Sequence, residues 1–198
     1  LFYKIMSSFQ TERTFAMIKP DGVKRGLVGE IISRIEQRGL KVVALVMFQP
    51  TVVQVDKHYP KDKAWISRLG EKTMATYTQY NVDAKKALGT TDTFEIGKMV
   101  RGWLMDYMSG APVVKMVIQG LHAIDMVRKL CGHTLPFKAE LGSIRGDFSV
   151  DSPILANMNK RAIFNLIHAS ENAAEAENEM KLWFTPKELM DYKRVDEE

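Results

Sequence analysis

Thr14-Phe15-Ala16-Met17-Ile18-Lys19-Pro20-Asp21-Gly22 is the stretch that decides how the rest of the chain is read. Its first five residues form a short apolar run of the kind a buried strand makes. The run ends where Pro20 cannot donate to a ladder and Asp21-Gly22 signals a turn. Lys19 therefore stands at a strand end, a place for a functional side chain rather than a packing one. Downstream, Leu27, Val28, Ile31, Ile32 and Ile35 recur at helical spacing over 27–38, and Gly39 is a natural stop. Over 41–48 the near-continuous run Val42, Val43, Leu45 and Val46 predicts a second strand.

The same signals recur later in the chain. Residues 112–118 read as a strand, 122–131 as a helix and 162–167 as a last strand. Residues 172–184 read as an amphipathic helix with Ala173, Ala176, Met180, Trp183 and Phe184 on one side. The order is β-α-β, an excursion, β-α-β and a closing helix. That is an α/β (α+β) plan, the ferredoxin-like βαββαβ arrangement of an antiparallel sheet with helices packed on one face. The excursion covers 64–101. Trp65, Ile66, Leu69 and Tyr77 suggest a helix there, followed by a polar connection over 81–93. A second helix over 95–108 carries Ile96, Met99, Val100, Trp103, Leu104, Tyr107 and Met108 at amphipathic spacing. A hairpin covering an opening and plain packing are both readings of this segment.

Composition fits one globular domain over 1–198, with 198 residues, 45% of them hydrophobic and 26% charged. No apolar stretch is long enough to span a bilayer. Residues 1–10 read as a disordered tail. Its opening Leu1-Phe2-Tyr3-Lys4-Ile5-Met6 is too short and interrupted for a signal peptide, with Met6 a candidate initiator. Cys131 is the only cysteine, so no internal disulfide exists, and its apolar helical context suits burial. These features lead to the expectation of a cytoplasmic protein. The formal charge of +4 comes from scattered Lys and Arg. That surplus suits an anionic ligand, but nothing alternates basic and aromatic residues as a single-strand nucleic-acid binder requires.

The chemistry centres on Asn165-Leu166-Ile167-His168-Ala169-Ser170-Glu171, where a strand-type run meets a helical one. Histidine is the side chain that can serve as a neutral nitrogen nucleophile near neutral pH. Glu179, on the edge of the following helix's apolar stripe, can fold back to orient that imidazole and select its tautomer. Arg128 on a helix, Thr134 in the loop after Gly132, and Arg145 within Gly142-Ser143-Ile144-Arg145-Gly146 can grip a diphosphate from several sides. Read singly, Arg128 is a surface ion pair and Arg145 pairs with Asp147. Asn165, three residues before His168, faces the other side of a regular strand unless that strand is bent. Tyr59, after His58, reads as amphipathic packing.

Taken together, these segments resemble nucleoside diphosphate kinases. The likeness runs from Thr11-Glu12-Arg13-Thr14 through Lys19-Pro20-Asp21-Gly22 to Gly29-Glu30-Ile31-Ile32. It continues through His58-Tyr59, Gly110-Ala111-Pro112-Val113-Val114, Ile144-Arg145-Gly146-Asp147-Phe148, Asn165-Leu166-Ile167-His168-Ala169-Ser170 and Leu182-Trp183-Phe184-Thr185-Pro186. The resemblance implies a ping-pong phosphotransferase in which His168 takes the γ-phosphoryl of an NTP and passes it to an NDP. Lys19 and Asn165 would hold sugar hydroxyl and phosphate, and Arg128, Thr134 and Arg145 the phosphates. Tyr59 and Ser170 would frame His168, and Glu179 would orient it. Mg²⁺ would ride on the nucleotide phosphates, with no metal ligands of the chain's own. Base choice would be broad, and the assembly a homo-oligomer.

Three departures from the family pattern stand out. The excursion over 64–101 falls where the family carries a base-stacking aromatic, for which Trp65 is the nearest candidate. The stretch over 150–161 is lengthened where the family supplies another base contact. Ala139-Glu140-Leu141-Gly142-Ser143 replaces the usual Pro-Gly-Thr before Ile144, in a loop that serves hexamer contacts, so a dimer or tetramer is the other expectation besides a hexamer. The rival function is a nucleotide-binding regulatory protein on the same fold with little turnover. Such a degenerate member would have lost His168, Lys19 or an arginine, and none is missing. Specific nucleic-acid binding lacks the exposed aromatic strand it would use.

Overall fold

The computed structural model describes residues 11–195, so the expected tail 1–10, Met6 included, lies outside the described residues. The strands are β1 (Glu12–Ile18), β2 (Lys41–Phe48), β3 (Val113–Gly120) and β4 (Ile167–Ala169). They form one sheet in the order β2-β3-β1-β4 with every neighbouring pair antiparallel. This is the ferredoxin-like order. β1 lies between β3 and β4, with Phe15 opposite Val117 on one side and Met17 opposite His168 on the other.

A two-residue period along β1 divides the core. Ala16 and Ile18 join Ile31 and Ile35 of α2 (Val28–Gln37), which follows the short α1 (Pro20–Lys24). The same cluster takes Val127 and Cys131 from a helix over 123–131. Phe15 and Met17 point the other way and pack with Val55, Met108, Trp183 and Phe184. Both faces are therefore covered, not one as the sequence pattern suggested. That accounts for the unbroken apolar run in β1, because a strand buried on both sides has no solvent face to alternate toward.

The second face is covered by α3 (Val52–His58) and the closing helix together with a later helix, α6 (Thr93–Ser109). The helix α4 (Lys63–Gln79), followed by the short α5 (Ala84–Leu88), packs against α6. Thr51 and Gln54 form a reciprocal capping box at the start of α3. Asp62 and Asp92 cap α4 and α6 by accepting the N–H of Trp65 and Glu95 at 2.8 and 2.9 Å. α5 lies in the stretch read as a polar connection. Five residues are too few to show a period, yet Asp83 caps it and Gly89, at φ 79°, ends it. α4 and α6 meet at glycines. A β-carbon on Gly70 would lie 1.8 Å from the Thr93 carbonyl oxygen, and one on Gly97 would lie 1.9 Å from that of Ile66.

The remaining helices are α7 (Ala123–Cys131), α8 (Ile144–Phe148), α9 (Pro153–Met158) and α10 (Ala173–Trp183). Arg145 thus sits in a first helical turn that Ser143 caps, rather than in an open loop. The last strand also begins later than the pattern suggested, at Ile167 instead of residue 162. The reason is local: Leu166 has φ 69°, a left-handed geometry that breaks an extended strand. No helix among the described residues is long and apolar enough to cross a membrane.

Candidate active site

The bend at Leu166 builds the site. The Ile167 N–H reaches back to the Asn165 carbonyl at 2.8 Å, closing a three-residue turn around Leu166. A leucine in that geometry is strained and needs support from its surroundings. The Leu166 N–H donates to Asp21 Oδ2 at 3.1 Å, and its carbonyl accepts the Lys19 N–H at 2.8 Å. Asn165 is thereby turned off the strand line. Its Oδ1 accepts from Lys19 Nζ at 2.8 Å, and its Nδ2 donates to the Thr134 carbonyl at 2.9 Å. The strand spacing that argued against Asn165 applies only to an unbent strand.

One turn further, His168 Nε2 lies 2.7 Å from Glu179 Oε1, and Ser170 Oγ donates to Glu179 Oε2 at 2.5 Å. A carboxylate only accepts, so this contact places the imidazole proton on Nε2 and leaves the lone pair on Nδ1. Burial, then Lys19 and further off Arg145 and Arg128, push the His168 pKa down to about 3, with Glu175 pulling the other way. The ring is neutral across the physiological range, which a nitrogen nucleophile requires. Burial raises Glu179, against the pull of His58 and the Ser170 hydroxyl. His58 stands edge-on to His168, ring centres 4.9 Å apart at 88°, with its Nδ1 3.3 Å from Glu179 Oε1. Trp183 Nε1 donates to that same Nδ1 at 3.3 Å. His58, too, is held neutral, at about 3, by burial and then by His168.

Of the cations behind the histidine, Arg145 is the one fixed to backbone. The Arg145 guanidinium is 7% exposed and donates to the carbonyls of Asn165, Gly132 and Ile167 at 3.1, 2.7 and 2.6 Å. These bonds replace the expected pairing with Asp147, which binds Arg34 at 2.6 Å instead. Five guanidinium N–H groups minus three leaves donors for an anion. Lys19 is buried, and burial followed by Arg145 lowers its pKa to about 8. Arg128 is more open and stands 4.0 Å from Glu171, the surface ion pair of its single reading. Thr134 lies exposed in the loop beside it.

A cleft of about 760 Å³ opens on His168, lined by His58, Tyr59, Trp65, Glu175 and Glu179 among others. Tyr59 packs between the rings of His58 and Trp65, at 5.0 and 6.1 Å. Burial, then Glu179, raises its phenol well above its ordinary range, so it stays protonated. Arg101 of α6 gathers this wall, donating to the carbonyls of Asp56, Tyr59 and Pro60 at 3.2, 3.3 and 3.2 Å and to Asp56 Oδ1 at 2.7 Å. Lys19, Asn165 and Arg145 thus form one bonded set, and His168, Ser170 and Glu179 a second beside it. Tyr59, Arg128 and Thr134 stand around them. Sequence reasoning missed Asp21, His58, Trp183 and Arg101 as parts of this assembly. Only His58 had a signal, its place beside Tyr59.

Comparison with known proteins gives one answer. The sequence model of the family described as nucleoside diphosphate kinase matches residues 12–74 and 94–189. A nucleoside diphosphate kinase of Pyrobaculum aerophilum is 43% identical over 180 residues, 91% of this chain and 98% of that one. The crystal structure of an NDP kinase from the same organism superposes with a TM-score of 0.88 at 42% identity, covering 92% of this chain and all (100%) of that one. A transition-state mimic of the nucleoside diphosphate kinase from Borrelia burgdorferi, with bound vanadate and ADP, superposes with a TM-score of 0.75 at 37% identity. It covers 94% of this chain and 95% of that one.

Proposed function

The chain belongs to the nucleoside diphosphate kinase family, and from that premise we propose that it moves the γ-phosphoryl group of an NTP to an NDP through His168. The observation that carries this reading is the 2.7 Å contact of His168 Nε2 with Glu179, which leaves Nδ1 as the nucleophilic nitrogen. The Nδ1 lone pair attacks the γ-phosphorus, the bond to the bridging oxygen breaks, and the NDP leaves. An incoming NDP then attacks the phosphohistidine through its terminal phosphate oxygen. Glu179 steadies the positive charge that develops on the ring, as a carboxylate behind an imidazole does. The rival reading, a regulatory protein with little turnover, is not favoured.

Each remaining residue has a part in this cycle. Lys19 and Asn165, bonded to one another, meet sugar hydroxyl and phosphate. Arg145 offers its remaining donors to phosphate, and Arg128 and Thr134 complete the grip from the rim. Tyr59 and Ser170 frame the ring, and Trp65 is the aromatic wall nearest the base. A divalent cation belongs to the nucleotide and neutralises its phosphates, and Mg²⁺ is the ion of choice for that. Among the described residues the only metal-capable cluster is two imidazoles and a carboxylate, donors ill-suited to Mg²⁺.

One catalytic domain in the cytoplasm, assembled as a homo-oligomer, completes the reading. The outer strand β2 supports assembly, because Leu45 and Met47 on it are 49% and 59% exposed. The deciding experiment incubates the protein with γ-labelled ATP and Mg²⁺ and without acceptor. Acid-labile, base-stable label on His168 that chases into a second nucleotide is expected. Nucleotide binding without label would leave a scaffold that kept the site and lost the reaction.

A further inference from the structure

Glu179 Oε1 faces two imidazole nitrogens at once, His168 Nε2 at 2.7 Å and His58 Nδ1 at 3.3 Å. The first contact has a proton between its atoms. The second does not, because the Trp183 N–H is aimed at His58 Nδ1 and marks that nitrogen as an acceptor. A carboxylate oxygen and an unprotonated nitrogen therefore lie 3.3 Å apart with no proton between them, and an ion that takes the Nδ1 lone pair displaces the Trp183 N–H from it. A cation placed between oxygen and nitrogen takes the place of the missing proton.

We propose that His58, His168 and Glu179 form a site for a borderline divalent cation of the Zn²⁺ class, separate from the nucleotide-borne Mg²⁺, whose occupation switches off His168. The three donor atoms lie within 4.8 Å of one another. Tetrahedral zinc with bonds of about 2.0–2.1 Å sets its donor atoms roughly 3.3–3.4 Å apart. The Glu179–His58 spacing already has that value, and the Glu179–His168 spacing of 2.7 Å has to open by roughly 0.6 Å. His168 can give way, since its side chain is 22% exposed on the cleft. The ring planes stand at 88° with centres 4.9 Å apart, and the two nitrogens, within 4.8 Å of one another, draw together around the ion. All three residues line the cleft, which gives the ion a way in and leaves its fourth position to water. Two nitrogens and one oxygen favour Zn²⁺, Co²⁺ or Ni²⁺ over Mg²⁺.

The consequence rests on the catalytic reading given above, in which Nδ1 is the nucleophile. A neutral imidazole has one proton for two nitrogens. When the ion takes the Nε2 lone pair, that proton moves to Nδ1, which then has no lone pair to attack phosphorus. Metal binding at Nε2 thus blocks phosphorylation at Nδ1.

The test uses the full chain free of nucleotide, with Co²⁺ as the probe. A one-to-one visible absorption band of four-coordinate Co²⁺ is expected, displaced by Zn²⁺ and lost in both His58→Gln and Glu179→Gln. Ring-nitrogen NMR of the unaltered protein should show His58 Nδ1 and His168 Nε2 moving together on Zn²⁺ addition, which requires no variant to fold. Labelling by γ-labelled Mg·ATP should fall at least tenfold at saturating Zn²⁺. Absence of the band in excess Co²⁺, its persistence in both variants, or full labelling at full occupancy would overturn the proposal. If the metal-free protein never labels, the catalytic reading fails, while the Co²⁺ band still decides the site.

Discussion

Asp21 holds Leu166 across 145 residues of sequence: its Oδ2 accepts the Leu166 N–H at 3.1 Å, while its Oδ1 accepts the Tyr107 hydroxyl at 2.5 Å. One carboxylate thus ties the turn after β1 and helix α6 to the strained residue that aims Asn165 into the site. Asp21→Ala removes both bonds and orphans a buried N–H, at a cost of about 2–3 kcal/mol. A fall of roughly 5–10 °C in melting temperature follows for a chain of this size. Nucleotide affinity should drop with it, because Asn165 and Lys19 lose their register. Asp21→Asn, which can still accept from Leu166 and donate to Tyr107, should be milder in both assays. Equal behaviour of the two variants would contradict the role.

Glu179→Gln separates orientation from charge. The amide oxygen can still accept the Nε2–H of His168, so the tautomer survives, but the negative charge facing the developing imidazolium is gone. The expected result is a drop of about 10–100-fold in kcat with little change in KM. His168→Ala should give no phosphoenzyme at all. Labelling kinetics on the purified variants make the comparison.

Arg145 is both structural and functional, and its truncation should show it. The guanidinium satisfies three carbonyls, two of them flanking the Leu166 turn. Arg145→Ala should lower stability by about 2–4 kcal/mol as well as weaken nucleotide binding. Arg128→Ala, at a side chain 43% exposed and 4.0 Å from Glu171, should weaken binding with almost no change in melting temperature. Denaturant melts run beside nucleotide titrations separate the two effects.

What could be read from the sequence, and what could not, follows the range of the interactions. The helices α2, α7 and α10 were legible because period is a local signal. The sheet plan and the set Lys19, Arg145 and His168 rested instead on several motifs in family order, each residue read singly being a structural or solvated one. The unbroken run through Phe15 and Met17 signals burial on both faces but not what covers the second, since such a run looks the same whatever covers it. α5 was too short for a period. β4 was placed five residues early because nothing in Phe164-Asn165-Leu166 marks a positive φ, and a leucine is an unexpected residue there. The bonds from Asp21, Trp183 and Arg101 join residues tens to more than a hundred positions apart, and no sequence window spans them.

Activity should depend on pH through Lys19 rather than His168. The His168 pKa of about 3 keeps the nucleophile neutral, so acid loss of activity should begin far below the ordinary imidazole range. Lys19 keeps its charge only below about 8. Phosphate nearby favours the charged form, so nucleotide binding above that pH must take up a proton and weaken as pH rises. The sign for stability is opposite. A folded-state pKa below the unfolded value of 10.5 makes the protonated lysine a cost, so the free protein should gain stability as pH rises from 8 toward 10.5. Calorimetric titration in buffers of different ionisation enthalpy counts the proton directly.

Two glycines five residues apart on α6 should respond oppositely to the same change. A β-carbon at Gly97 meets the Ile66 carbonyl oxygen at 1.9 Å, a backbone atom with no rotamer to escape into. Gly97→Ala must therefore push α6 off α4, costing about 2–4 kcal/mol by overpacking. It also shifts the wall that Arg101 secures and that carries Tyr59 and Trp65. KM for nucleotide should rise while the His168–Glu179 contact, made between β4 and α10, stays intact. At Gly102 nothing lies within 4 Å of the added carbon. There the substitution only removes backbone freedom from the unfolded chain, and Gly102→Ala should stabilise by roughly 0.5–1 kcal/mol. Melting temperatures that move in opposite directions, with KM changed only in Gly97→Ala, would show that the helical pair sets the shape of the nucleotide cleft. A Gly97→Ala protein as stable as its parent would mean the helices slide apart freely and do not define that wall.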